Sequence, residues 1–280
     1  RVQAIHLPAL DTQETLDQIG CAPELQSQIY AFTQGHPLAN EMVYDVLQQH
    51  LLGALHPRQV LAEQRTRIAE RIISAIYSRV LGGVSSELAQ IFGVIALFRE
   101  FDIHTLRTVL PTFEPAFVHR SDSALLLSLK QLLDTRLVTW SDERRAYQID
   151  PTIRQIFSYA LRWSHTERYL DIRDAAITYY RQLIQDVPGN RNVYIVEYYY
   201  QALYKGDREI YNQDAFKEAI QHYYFSPDQR YRADQALGQL RERFLDDPEL
   251  AGLLAERKLA PRHFLAVLDV FLEQPLAANV

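Results

Sequence analysis

The sequence has a single cysteine and no Gly-Lys pair, and each absence excludes a class of chemistry. Because Cys21 is the only cysteine, neither a disulfide framework nor a zinc site of several thiolates can form within the chain. A phosphate-binding loop of the GxxxxGK type is excluded as well, since it requires the missing Gly-Lys pair. The HExxH and GxSxG motifs are also absent, and the nine histidines lack metal-ligand spacing. We therefore expect no catalytic residue and no metal site in this chain alone.

Long apolar runs are missing too. No stretch is long enough to span a bilayer, and the opening segment RVQAIHLPAL lacks the layout of a signal peptide. We expect a cytoplasmic protein with no membrane contact. The chain begins with Arg1 rather than Met, so we also expect it to be part of a longer protein. The net charge of −6 and the pI of about 5.9 make general nucleic-acid binding unlikely on electrostatic grounds.

The composition is otherwise that of a folded protein, with 48% hydrophobic and 23% charged residues. Its unusual feature is a set of 17 tyrosines concentrated in the C-terminal half. A tyrosine offers a large apolar ring with a polar tip, so it serves both helix packing and partner binding. Both interpretations stay open for this set.

The first region, residues 1–84, predicts a helical subdomain. Its central feature is the segment GHPLA, in which Gly35 ends one helix and Pro37 begins the next. His36 precedes a proline and is therefore restricted to extended geometry. The pattern predicts a tight elbow between two helices, followed by a long helix from about Pro57 to Leu81.

The second region, residues 85–163, predicts a winged-helix domain. Three helices are expected at about Ser86 to Phe98, Ile103 to Leu110 and Asp122 to Asp134. Two short strands, RLVTW and AYQID, follow them and are joined by a charged turn, SDERR. Three helices and a small β-hairpin are the chain order of a winged helix.

The third region, residues 164–280, reads as consecutive helices joined by short turns, which predicts an α-solenoid or an irregular helical bundle. Gly206 is expected to end one of these helices, and Pro248 and Pro261 to mark the starts of two others. The predicted fold class of the whole chain is therefore mostly α. One helix carries Tyr194 and Tyr198 on one stripe, next to Tyr199, while other tyrosines lie on a different side. We interpret Tyr194, Tyr198 and Tyr199 as candidate interaction residues.

Taken in order, these regions resemble the C-terminal part of the STAND class of signalling NTPases, relatives of the NB-ARC proteins. In that class a nucleotide-binding core leads into a helical lid with a Gly-x-Pro motif, a winged helix and a helical sensor array. Here GHPLA matches the motif, YQIDPTIRQIF resembles the end of the winged helix, and EYYYQALYKGD resembles the start of the array. The Walker A and B core is missing from this sequence.

The resemblance implies specific roles. Gly35 and Pro37 would lie at the adenine base, and the family's phosphate-contacting histidine falls on Asp150. A carboxylate repels a diphosphate unless a cation intervenes, whereas Asp150 before Pro151 is also a good helix cap. ATP or ADP would bind only with the upstream core of the same polypeptide. The parent protein would be a weak ATPase that opens and oligomerises when a protein trigger binds the array, in a process such as defence.

Two alternatives remain. The chain can instead be a winged-helix and helical-repeat scaffold for protein interactions, without nucleotide chemistry. It can also be a DNA-binding transcription regulator, which requires basic and amide side chains on the recognition helix. The candidate helix, SDSALLLSLKQLLDT, offers only Lys130 among leucines and acidic ends. This composition disfavours the second alternative.

Overall fold

The computed structural model describes residues 57–75, 85–135, 137–142, 144–225 and 233–273, together with position 78 and isolated positions between 14 and 45. The chain divides into two compact units, Arg1–Ile172 and Arg173–Val280. The finer division into regions 1–84, 85–163 and 164–280 stays a prediction.

Unit 1 is mostly helical with one small sheet. Its helices are α1 (Pro57–Ala75), α2 (Ser86–Ile95), α3 (Ile103–Phe113), α4 (Asp122–Asp134), α5 (Pro151–Ser164) and the first residues of α6 (Thr166–Asp186). Its strands are β1 (Glu100–Phe101), β2 (Val138–Ser141) and β3 (Ala146–Ile149). The predicted fold class, mostly α with a small β-hairpin, is confirmed.

The winged-helix order follows from local signals at the helix starts. The Ser85 side chain accepts a hydrogen bond from the Leu88 amide, and the Ser121 side chain does the same for the Ala124 amide. Asp102 and Thr105 form a reciprocal capping box at the start of α3. Each cap satisfies amides that the first helical turn leaves without an intrahelical partner.

The sheet has the strand order β1-β3-β2, with both pairings antiparallel. Phe101 and Trp140 lie on either side of Tyr147, so the three rings form one ladder across the sheet. Helix α5 follows the hairpin and packs against α1. Its Phe157 ring meets the Phe92 ring of α2 edge to face, with centroids 5.3 Å apart.

Unit 2 is entirely helical in its described residues. It contains the rest of α6, then α7 (Arg191–Lys205), α8 (Arg208–Tyr211), α9 (Gln213–Tyr224), α10 (Ala233–Leu245), α11 (Pro248–Glu256) and α12 (His263–Glu273). The predicted helix start at Pro248 and the predicted helix end at Gly206 are confirmed, and α12 begins at His263, two residues after the start predicted at Pro261.

Helix α7 is the centre of unit 2, because α8, α10 and α11 all pack against it. Its residues from Ile195 to Tyr204 are buried apart from Tyr198, which is half-buried. A core of aromatic rings joins the helices around it. Phe216 of α9 contacts Tyr199, Phe244 and Phe264, with centroid distances of 4.9, 5.6 and 4.8 Å.

Candidate functional site

The predicted elbow at GHPLA is present in the local backbone. Gly35 adopts a φ of 72° in a turn between the helical residues Thr33 and Pro37. Its amide donates a hydrogen bond to the Thr33 hydroxyl at 3.3 Å. A positive φ favours glycine, so the turn itself explains why this residue type stands here. The adenine contact of Gly35 and Pro37 stays a prediction.

Asp150 lies at the start of α5 and acts there as a helix cap. Its Oδ1 accepts a hydrogen bond from the Ile153 amide at 3.1 Å, and its carbonyl accepts one from the Arg154 amide at 2.9 Å. Pro151 occupies the first helical position. This carboxylate therefore has a structural task, whether or not a phosphate ever lies near it.

Helix α4, predicted to be the recognition helix of a winged helix, presents leucines to solvent. Leu126 is 49% exposed and Leu127 is 59% exposed. The ends of the helix carry Asp122 and Asp134, and Arg107 pairs with Asp122. Phosphate binding requires an excess of positive charge, which this exposed surface does not offer. The exposed surface of α4 is therefore apolar between two acidic helix ends.

The three candidate tyrosines lie on α7 but differ in exposure. Tyr199 is 3% exposed and belongs to the core, whereas Tyr194 and Tyr198 are partly buried against it. The tyrosines on the other side of α7 are core residues as well. The Tyr200 hydroxyl donates to a Glu249 carboxylate oxygen at 2.9 Å. Helix packing therefore accounts for most of the tyrosines on α7.

Tyr198 and Tyr199 also line a cavity of about 180 Å³, called here the tyrosine cavity. Four helices supply its walls: α6, α7, α8 and α9. The apolar lining residues are Ile184, Ile195, Ile210, Ile220, Ala215 and Ala219. The remaining lining residues are Tyr198, Tyr199, Tyr223 and Glu209. Tyr194 is not among the lining residues.

The lining of the tyrosine cavity runs from buried to exposed. Ile184, Ile195 and Ile220 are buried, Tyr198 and Tyr223 are half-buried, and Glu209 is exposed. The Arg181 side chain donates a hydrogen bond to the Tyr198 hydroxyl at 3.2 Å. The cavity therefore has an apolar base and a polar edge that carries both a donor and an acceptor.

Burial controls the ionisation of the tyrosines here. It raises the pKa of Tyr199 far above its ordinary value, and the neighbouring Tyr198 and Tyr223 phenols raise it further. Burial also raises the pKa of Tyr223, although Arg181 and Arg191 oppose that effect. Because their pKa values are raised, the phenols of Tyr199 and Tyr223 are neutral groups at physiological pH.

Of the ten lining residues, sequence reasoning named only Tyr198 and Tyr199; it missed the other eight, among them Glu209, Ala215, Ala219 and Tyr223. Ala215 and Ala219 are four residues apart, so they share one face of α9. A pair of small residues at this spacing on an otherwise apolar face is the signal that indicates a hollow. This pair of alanines indicates a cavity only when the structure shows that α9 and α7 lie next to each other.

Among the described residues, no group of three or more His, Cys, Asp or Glu side chains is arranged to hold a metal ion. In the same part of the chain, no helix combines the length and the apolar character needed to cross a membrane. Comparisons with family models, with curated proteins and with solved structures gave no match to this chain.

Proposed function

We propose that this chain is the regulatory portion of a nucleotide-switched signalling protein of the STAND class. In this proposal it couples the sensing of a protein trigger to conformational opening and oligomerisation in the cytoplasm. The observation that carries the proposal is the chain order of unit 1, in which helices α2 to α4 and two further strands follow one another and α4 exposes leucines, with a helical unit that holds a tyrosine-lined cavity after it.

The leucines of α4 support a protein-facing winged helix. Leu126 and Leu127 together form an exposed apolar feature between two acidic helix ends. Contiguous exposed apolar patches mark contact surfaces, and we propose that these two leucines belong to such a patch. In the proposed protein, this face contacts another part of the same polypeptide in the resting state and is released on opening.

The elbow at Gly35 and Pro37 supports the part of the proposal in which the protein binds ATP or ADP. A positive φ at Gly35 followed by a helical Pro37 holds the proline ring in a fixed place. Such a rigid apolar ring is suited to contact with an adenine face. Because Asp150 is committed to capping α5, we propose that ADP is held without a side-chain contact from this position.

The mechanism we propose is a shift between two states. Nucleotide bound between the core, the lid and the winged helix stabilises the closed state. A trigger on unit 2 shifts the population only in proportion to its tighter binding to the open state. This chain would contribute the lid, the winged helix and the sensor, while the upstream core would supply the phosphate-binding loop.

The test is to purify the intact protein without added nucleotide, denature it and quantify the released nucleotides. We expect ADP at close to one molecule per polypeptide, and a Gly-rich loop ending in Gly-Lys-Ser or Gly-Lys-Thr upstream of Arg1. Pro37→Ala should weaken ADP retention about ten-fold or more. Pro151→Ala is the matched control, since Pro151 is also the first residue of a helix.

An intact protein that has neither the loop nor any bound nucleotide would overturn the STAND proposal. The second candidate, an interaction scaffold without nucleotide chemistry, would then take its place. The tyrosine cavity favours that candidate independently, because it belongs to unit 2 and needs no nucleotide.

A further inference from the structure

We infer that the tyrosine cavity is a side-chain pocket that takes one uncharged apolar residue, aromatic or leucine-like, from a partner polypeptide. This inference rests on the proposed sensor role of unit 2, for which it names the chemistry of the trigger. It is carried by the size of the cavity, its charge pattern and the mixture of polar groups at its edge.

The size of the cavity matches one large side chain. Its volume of about 180 Å³ exceeds the roughly 150 Å³ of an apolar cavity that holds a benzene molecule. Helix α9 contributes only methyl groups at Ala215 and Ala219, so these two positions leave space that larger side chains would fill. A phenyl ring or a branched aliphatic side chain therefore fits, whereas several residues do not.

The charge pattern selects a neutral occupant. The Arg181 guanidinium already lies 5.7 Å from the Tyr198 ring centroid, and the Arg191 guanidinium lies 5.8 Å from that of Tyr223. A third cation at these rings would be repelled by both guanidinium groups. An anion would lose its hydration against the isoleucine and alanine side chains of the lining and would lie near the Glu209 carboxylate, a cost that the two guanidinium groups offset only in part. An uncharged apolar group avoids both penalties.

The edge of the cavity favours a peptide over an apolar small molecule. Glu209 is exposed and offers only acceptor atoms, whereas Arg181, hydrogen-bonded to Tyr198, offers only donors. A peptide unit carries one N–H donor and one C=O acceptor, so it can hydrogen-bond to a group of either kind. If the ligand has no amide, the Glu209 carboxylate and the Arg181 guanidinium can form hydrogen bonds only with water or with other protein groups.

The experiment titrates the 280-residue chain with N-acetyl-phenylalaninamide and follows it by NMR. This probe carries one phenyl side chain between two peptide units. We expect shifts confined to the lining residues and a Kd on the order of 1 mM, as befits a ligand of this size. N-acetyl-lysinamide and toluene are the comparison probes, the first for charge and the second for the missing amide.

Ala219→Leu fills the cavity and should weaken binding about ten-fold or more, while the fold is retained because the added atoms enter empty space. Ala251→Leu makes the same change at an exposed position of α11 and should leave the Kd unchanged. If Ala219→Leu lowers the thermal midpoint, Ala219→Val replaces it as the smaller filling variant. The mapped shifts in the unaltered chain test the site without either variant.

Three results would overturn the inference. If the lining residues show no chemical-shift change at a phenylalanine-probe concentration ten times the expected Kd, the cavity does not bind the probe. Equal or tighter binding of toluene would assign the cavity to an apolar small molecule instead of a polypeptide, and tighter binding of the lysine probe would refute the neutral occupant. Nucleotide is absent from this titration, so its outcome is separate from that of the ADP measurement.

Discussion

The guanidinium of Arg257 lies against the backbone of Gly206, with Nη1 3.1 Å from the position that a Cβ atom would take there. The same guanidinium donates hydrogen bonds to the carbonyl oxygens of Leu203 and Tyr204, both at 2.8 Å. Gly206 ends α7 with a φ of 85°. A residue from a helix far along the chain therefore completes the C-terminus of the central helix.

Replacing Gly206 with alanine should destabilise the protein by about 1–2 kcal/mol or more, because the left-handed conformation disfavours a Cβ atom and Arg257 has to move. Urea unfolding measures the loss. Gly252→Ala is the control, since nothing lies within 4 Å of its Cβ position in α11. That variant should gain about 0.5–1 kcal/mol. An unchanged midpoint for Gly206→Ala would refute the close approach.

Arg257→Met should cost about 1–3 kcal/mol of stability, because the carbonyl groups of Leu203 and Tyr204 each lose the hydrogen bond from Arg257 and the Leu203 oxygen keeps only that from the Gly206 amide. Arg257→Lys should recover little of this loss, since an ammonium group cannot reproduce the planar fork that reaches both oxygens. Thermal and urea unfolding of the two variants give the comparison. Full recovery by lysine would show that charge, rather than geometry, stabilises this helix end.

Asp150→Ala should lower the free energy of unfolding by about 0.5–2 kcal/mol through loss of the α5 cap. Asp150→Ser should retain most of the stability, since a serine hydroxyl can accept the hydrogen bond from the Ile153 amide. If the two variants are equally unstable, the carboxylate charge matters in addition to the cap.

Leu127→Gln should change stability by no more than about 0.5 kcal/mol, because Leu127 is 59% exposed. Leu129→Ala, two residues further along α4, should cost about 2–5 kcal/mol, since that side chain is fully buried. A large loss for Leu127→Gln in this chain would mean that the side chain is covered within the chain itself.

Tyr199→Phe should flatten the dependence of stability on alkaline pH. Burial raises the pKa of Tyr199 above its ordinary value of 10.0, so unfolding at high pH releases its proton. Stability is therefore fully present below pH 10 and falls as the pH rises above it, by about 1.4 kcal/mol per pH unit for one proton. Urea unfolding at pH 7 and pH 11 should show the smaller decrease for Tyr199→Phe. An identical decrease in both proteins would contradict the prediction.

The helix ends were predictable because their signals are local. Gly206 ends α7, and Pro248 begins α11, as the sequence predicts. Strand β1 was not predictable, because Glu100 and Phe101 become a strand only by pairing with Gln148 and Tyr147. The sheet of β1, β2 and β3 thus has three strands, where the sequence predicts a hairpin of two.

The tyrosine cavity was only half predictable for the same reason. The tyrosines of α7 stand out in the sequence by their number, but the hollow depends on Ala215 and Ala219 of another helix. Whether Tyr198 borders a cavity or a packed interface is decided by the residues opposite it, and residue spacing within one helix carries no information about them.

The shortness of β1 has a consequence for association between copies. The sheet ends on one side with the two residues of β1 and on the other with the four of β2. Strands in globular proteins commonly have about five or six residues, so neither border offers a long row of open amides and carbonyls to a strand from another molecule. This sheet therefore leaves the Trp140 ring half-exposed, but its short border strands do not provide a template for β-pairing with another molecule.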